Sequence, residues 1–458
     1  MLHARLNIQK FRQSQSTTNF KDHYKVVNNF AKISGERVLK LGRGYFDWEF
    51  FVRPREVEKQ LERDVRQLQG YLSPLGEEDT RRILLAYESK FGKYALENIA
   101  FSSGVLTTFG KISGIIRTTG SEELLIATPN YPQLEESAIR HGPVKLIAAR
   151  KENNYNLTAD EVERNLSAEI AGVVLLNPNV VGIYHDTKEL GKIIAILEKN
   201  NIFLVLDETN DTVQWKAGGI KVGASGRPVV LRSHYPENID SPVLIRQRSF
   251  SKGDMLAEYR IGYVVATPEV IAALEQSVGA NTPPSSATEA VKWIISVYSS
   301  WAAESKGVPQ PAMGQDERNY IEELKVNSAY MDAVREYVSD EISKVKGAEI
   351  IAPKNGFSVF FRIEGYGSWK LFEKLLYDCK FAVNPGSAFG FKDSEGWVRL
   401  TLANGPDKME KAMEKLNRDF PTIGSHAKFG FAEIGKMRIW EGSKIRLPDF
   451  LPQNESKT

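Results

Sequence analysis

The segment Arg246–Tyr263, R-Q-R-S-F-S-K-G-D-M-L-A-E-Y-R-I-G-Y, decides how the rest of the chain is read. Lys252 follows Ser249, Phe250 and Ser251, and Arg260 comes eight positions later, just ahead of the strand-like run Ile261 to Ala266. A protonated ammonium does not attack carbonyls. Placed beside hydroxyls and a second cation, its pKa falls toward the range where the free amine does. Ser249, with Ser251 beside it, and Arg260 then offer hydroxyl donors and a planar fork for a phosphate. An imine-forming lysine flanked by phosphate anchors is what pyridoxal 5'-phosphate requires of a protein. A solvated lysine in a polar loop would carry the same letters.

Composition narrows the field. The chain has 458 residues, room for two or three domains and a sizeable core. Sixty basic residues against 58 acidic ones give a formal charge of +2, so no nucleic acid or other polyanion partner is implied. The single cysteine, Cys379, rules out an internal disulfide framework and reads as a small apolar filler. Six scattered histidines without ligand spacing argue against a metal site. No apolar run is long enough for a signal peptide or a membrane span, which leads to a cytoplasmic expectation.

Along the chain, residues 1 to about 35 read as polar and irregular. Short apolar strands then alternate with helical stretches: 98–101, 124–127, 144–147, 172–176, 202–207, 243–245 and 261–266. That alternation predicts a parallel sheet covered on both faces, with ligands gathering at the strand ends. After Ala280 a turn-rich link leads into a helix from Thr288 to Trp301. A long amphipathic helix follows from Arg318 to Lys344, then a smaller α+β pattern.

The strand ends carry a recognisable series. Ser103-Gly104-Val105 opens a helix, Tyr131 stands in T-P-N-Y-P, and Asn179 in N-P-N-V-V-G. Asp207 closes L-V-L-D-E, 45 residues before Lys252, and Arg399 stands in W-V-R-L-T-L. An arginine inside an apolar strand is costly unless it meets an anion. In this order, over roughly residues 38 to 405, the series resembles the fold-type I pyridoxal-phosphate enzymes of the class I/II aminotransferase group.

The resemblance implies an α/β fold: a large domain with a mostly parallel seven-stranded sheet covered by helices, plus a smaller α+β domain from the N- and C-terminal segments. Residues 1–70 and 301–458 are assigned to the small domain and 71–300 to the large one, with no role for the tail from about 421. It implies that Lys252 carries the cofactor as a Schiff base and that Asp207 pairs with the pyridine nitrogen. Tyr131 would stack on the ring and Asn179 would bond its phenolic oxygen. Ser103, Gly104, Val105, Ser249, Ser251 and Arg260 would hold the phosphate. Arg399 would clamp the substrate α-carboxylate, and Gly44 or Gly42 would approach the substrate. Tyr71 would reach the phosphate of a partner subunit, making the protein a homodimer with shared sites.

One departure stands out. Where the group has D-E-x-Y, this chain reads Asp207-Glu208-Thr209-Asn210. Asn210 donates a hydrogen bond to the phenolic oxygen but cannot ionise. The expected activity is transfer of an amino group from an α-amino acid to a keto acid. The alternatives are the same cofactor used for oxidation, elimination or decarboxylation, or a non-catalytic binding module. The last conflicts with the retention of Lys252 and Asp207. Arg43, Arg246 and Arg248 are open to three readings: contact with an acidic substrate side chain, phosphate contact, or surface charge.

Overall fold

The computed structural model describes residues 22–35, 37–42, 46, 51, 55–64, 73–118, 120–212, 215–277, 283–351 and 353–426. A two-residue strand, β1 (Leu39–Lys40), is followed by β2 (Ile99–Ser102), β3 (Glu123–Thr128), β4 (Val144–Ala148) and β5 (Ile170–Leu176). Next come β6 (Phe203–Asp207), β7 (Leu244–Ser249) and β8 (Gly262–Val265). Strands β2 to β8 form one seven-stranded sheet in the order β2-β8-β7-β6-β5-β3-β4. Only β8 runs against its neighbours; the pairs β7–β6, β6–β5, β5–β3 and β3–β4 are parallel. This is the mostly parallel α/β sheet expected.

Every residue of β5 is buried, which is why its sequence is an unbroken apolar run. Helices lie on both faces. Val105–Arg117 packs on one side through Phe109, Ile112 and Ile116, and Thr187–Lys199 on the other through Leu190, Ile193, Ile194 and Leu197. Asp186 caps the second of these, its carboxylate accepting from the backbone N–H groups of Lys188 and Glu189.

The C-terminal part builds β9 (Ala348–Ile351), β10 (Ser358–Ile363), β11 (Phe381–Ala382), β12 (Asn384–Pro385) and β13 (Val398–Thr401). Four of these form an antiparallel sheet, β12-β13-β10-β9, while β1 pairs parallel with β11. The helices Gln315–Ser343, Ser368–Tyr377 and Pro406–Asp419 supply the apolar cluster that covers this sheet. Cys379 is fully buried in that cluster, and burial pushes its thiol up to about 12.

The N-terminal expectation needs correction. Residues 22–34 are a helix, not irregular chain. Val27 buries itself in the C-terminal cluster with Val26 and Phe30 against it, a stripe too short to show in so polar a segment. No described helix is long and apolar enough to cross a membrane.

Candidate active site

Five strand or loop ends converge on a cavity of about 470 Å³ between the two sheets. Of the residues singled out from sequence, Val105, Tyr131, Asn179, Asp207, Asn210, Ser249, Ser251, Lys252, Arg260 and Arg399 line it. Gly104 and Ser103 stand just behind Val105 on the same turn. Tyr71, Gly44 and Arg43 lie outside the described residues.

Lys252 rides on a one-turn helix, Phe250–Gly253, whose N-cap Ser249 accepts from the backbone of Ser251. The Trp215 indole N–H donates to the Lys252 carbonyl at 2.8 Å, fixing this turn. The amine lies 5.5 Å from the centre of the Phe357 ring. Burial lowers its pKa to about 8, with Arg399 and Arg260 adding repulsion.

Asp207 ends β6. Its Oδ1 accepts from the Thr209 N–H at 2.8 Å, and burial raises its carboxyl to about 6 because no cation offsets the lost solvation. Arg399, opposite Asn384 in the β12–β13 ladder, donates through Nη2 to the Gly42 carbonyl at 3.1 Å. Its buried Nε has no hydrogen-bond partner, and among the described residues no carboxylate pairs with it. Burial lowers its pKa.

At the opposite end the helix Val105–Arg117 begins at Gly104, whose φ of 98° and crowded position exclude a side chain. A Cβ there would stand 2.7 Å from Arg260 Nη2. The first backbone N–H groups of a helix lack internal acceptors and attract anions. Arg260, Ser249 and Ser251 line the cavity beside that helix start and add donors for an anion.

The resemblance gives Asn179 a bond to the cofactor. Here its amide donates to the carbonyls of Asn154 and Tyr155 and to Asn156 Oδ1. Its oxygen accepts from Val181 and Ile183, so Asn179 fastens its own turn to the 154–156 loop. Asn210 accepts through its backbone carbonyl from Asn355, which leaves its side-chain amide on the cavity wall. Tyr131 caps the helix Pro132–His141 and donates to Gln133 Oε1 at 2.6 Å.

Arg246 and Arg248 serve neither a substrate nor the surface. Arg246 is 1% exposed and pairs with Glu88 at 2.9 Å and Glu208 at 3.1 Å. Arg248 pairs with Asp211 at 2.7 Å. Sequence reading also passed over Tyr24, Gln133, Thr209, Asn355 and Ser358, all on the cavity wall. Only the D-E-T-N run, which placed Thr209 beside two marked residues, held a signal for any of them.

A displaced amine, a buried acid lacking a cation, a buried arginine lacking an anion and an anion cradle all face one space. They suit a phosphorylated pyridine aldehyde and the carboxylate of an amino acid, so fold and site together define a pyridoxal-phosphate enzyme. The chain belongs to the aminotransferase class I and II family, whose model matches residues 36–416.

Among its relatives is the aspartate aminotransferase of Pyrococcus horikoshii, 26% identical over 393 residues, covering 84% of this chain and 90% of that one. Another is the aromatic-amino-acid aminotransferase 2 of Thermococcus litoralis, 23% identical over 65% of this chain and 70% of its own. The solved structure of a single mutant of Thermus thermophilus aspartate aminotransferase superposes with a TM-score of 0.73. It shares 19% identity and covers 89% of this chain and 99% of its own. The chain is therefore an enzyme of amino-group transfer that uses pyridoxal phosphate and acts on amino acids.

Proposed function

We propose that this chain moves an amino group from an α-amino acid to a keto acid, with Lys252 as the amine that carries the cofactor. The reading rests on the convergence of Lys252, Asp207 and Arg399 on one cavity from separate elements of the fold. Bound pyridoxal phosphate supplies an electron-withdrawing ring that makes the α-C–H bond of an attached amine acidic.

The chain's own residues do the rest. Asp207, ionised above about pH 6, would hold the ring nitrogen protonated. Tyr131 would cover one ring face, and Asn210 and Asn179 stand on the wall where the phenolic oxygen would be held. Gly104, Val105, Ser249, Ser251 and Arg260 hold the phosphate, with Ser103 shaping the turn. Arg399 takes the α-carboxylate in a forked pair. Lys252 Nζ, near neutral charge at mildly alkaline pH, takes the α-proton and holds it for return.

The same proposal includes a cytoplasmic homodimer in which Tyr71 completes the partner's phosphate site and Gly44 lies against the substrate. It also keeps the division into a central large domain and a small domain from both chain ends. The relatives' names span aspartate and aromatic substrates, so the amino-acid side chain is a separate question.

Full-length protein loaded with cofactor and given amino acids without an acceptor should convert bound pyridoxal phosphate to pyridoxamine phosphate one for one, read by mass spectrometry. Lys252→Ala should retain weak cofactor binding and lower that rate about 100- to 10,000-fold. Carbon dioxide release or oxygen uptake in its place would overturn the proposal in favour of a decarboxylase or oxidase.

A further inference from the structure

With those duties assigned, Tyr24, Leu106, Gln133 and Leu134 are left as an unassigned stretch of cavity wall. Tyr24 belongs to the helix Asp22–Ser34, ahead of the family-matched region that begins at residue 36. The first turn of this helix is fastened beside Arg399. His23 Nε2 lies 2.8 Å from the amide nitrogen of Asn384, the residue opposite Arg399 in the ladder. The Tyr24 hydroxyl donates at 3.3 Å to the Gly42 carbonyl, which also accepts from Arg399.

On the large-sheet side, the Tyr131 hydroxyl donates to the oxygen of the Gln133 carboxamide, so the NH₂ of Gln133 is the group left to meet a ligand. Tyr131, Tyr24 and Arg399 all stand on the wall of the same cavity. A carboxylate held by Arg399 therefore sets its Cα substituent within reach of this wall.

We infer that this wall is the side-chain subsite, and that Gln133 reads a neutral carbonyl oxygen, the carboxamide of an α-amino acid such as glutamine or asparagine. Leu134 lines the stem, and Tyr24 stands on the wall beside Arg399. The inference rests on the amino-transfer reading above. Three side-chain chemistries compete for the position. Among the described residues a carboxylate there would meet the neutral NH₂ of Gln133 and Leu134, and burying an ion without a counter-charge is strongly unfavourable. A saturated chain would cover the Gln133 NH₂ and leave it dry and unpaired. A carboxamide gives that donor its acceptor and brings no net charge.

The test is the half-reaction of full-length cofactor-loaded protein with glutamine, asparagine, glutamate, aspartate and leucine, followed by cofactor absorbance. Glutamine or asparagine should exceed both the matching dicarboxylate and leucine by about tenfold or more in kcat/KM. Gln133→Leu should erase about tenfold of that preference through KM, and Gln133→Glu, which keeps the shape and loses the donor, should erase it too. Retained cofactor absorbance shows that both variants are folded. Aspartate or glutamate reacting ahead of the amides, or variants that slow every amino acid equally, would overturn the subsite and leave amino transfer standing. No conversion with any amino acid would overturn both.

Discussion

Residues close in sequence at the ends of β6 and β7 meet opposite electrostatic fates. Glu208, Arg246 and Arg248 join Glu88, Asp211 and Arg232 in a buried cluster in which every acid pairs with an arginine. There the arginines hold Glu88 down at about 2 despite its complete burial. Asp207 faces the cavity with no arginine or lysine paired to it among the described residues, and burial moves both it and Lys252 toward their neutral forms. Matched charges on one side make framework. Unmatched charges on the other mark the places where a ligand's charge is expected.

The largest effect should come from breaking the matched side. Arg246→Ala strips Glu88 and Glu208 of a buried partner and should cost about 3–5 kcal/mol in urea denaturation. A loss below about 1 kcal/mol would mean that the cluster is loosely solvated.

The unmatched side should respond with the opposite sign. In cofactor-free protein Asp207 titrates near 6, against 3.8 for an ordinary aspartate. The folded state therefore keeps a proton that the unfolded state has lost, and stability falls as pH rises from about 4 to 6. Above pH 6 the full penalty of about 3 kcal/mol persists. Asp207→Asn should remove it, raising the cofactor-free protein's stability at pH 7.5 by up to about that amount, with the two proteins converging near pH 4. The same variant should bind pyridoxal phosphate more weakly. Equal stability at pH 7.5 would reveal a cation already facing Asp207.

A smaller effect belongs to the cradle. Gly104→Ala places a methyl against Arg260 at a positive φ, and should weaken cofactor affinity about tenfold in a spectroscopic titration.

The same contrast explains what was legible in the sequence. Strands β5 and β6 are visible because their residues are buried on both faces and apolar, in β6 up to the closing Asp207. Only the first part of β7 is visible. Arg246, Gln247 and Arg248 look like a loop, and they lie in a strand because acids from Glu88 to Asp211 neutralise the arginines. The cofactor-facing residues stand out because lysine, aspartate and arginine at fixed strand ends have few other reasons to be there. Tyr24, Gln133 and Asn355 reach the cavity through tertiary packing, and no local pattern distinguishes them from ordinary helix and loop residues. The D-E-T-N departure was readable as a substitution. That Asn179 would also turn its amide to the 154–156 loop was not.

The cavity draws its lining from Tyr24 at one extreme and Arg399 at the other. No short fragment can reproduce such a boundary, so the pocket comes into being only when the helix that carries Tyr24 and the strand that carries Arg399 have both docked. Occupancy by the cofactor therefore reports completed assembly, and mass action favours the assembled form. At one hundred times its dissociation constant, a ligand specific to the native state adds about 2.7 kcal/mol. Supplying pyridoxal phosphate during refolding should accordingly raise the yield of intact protein.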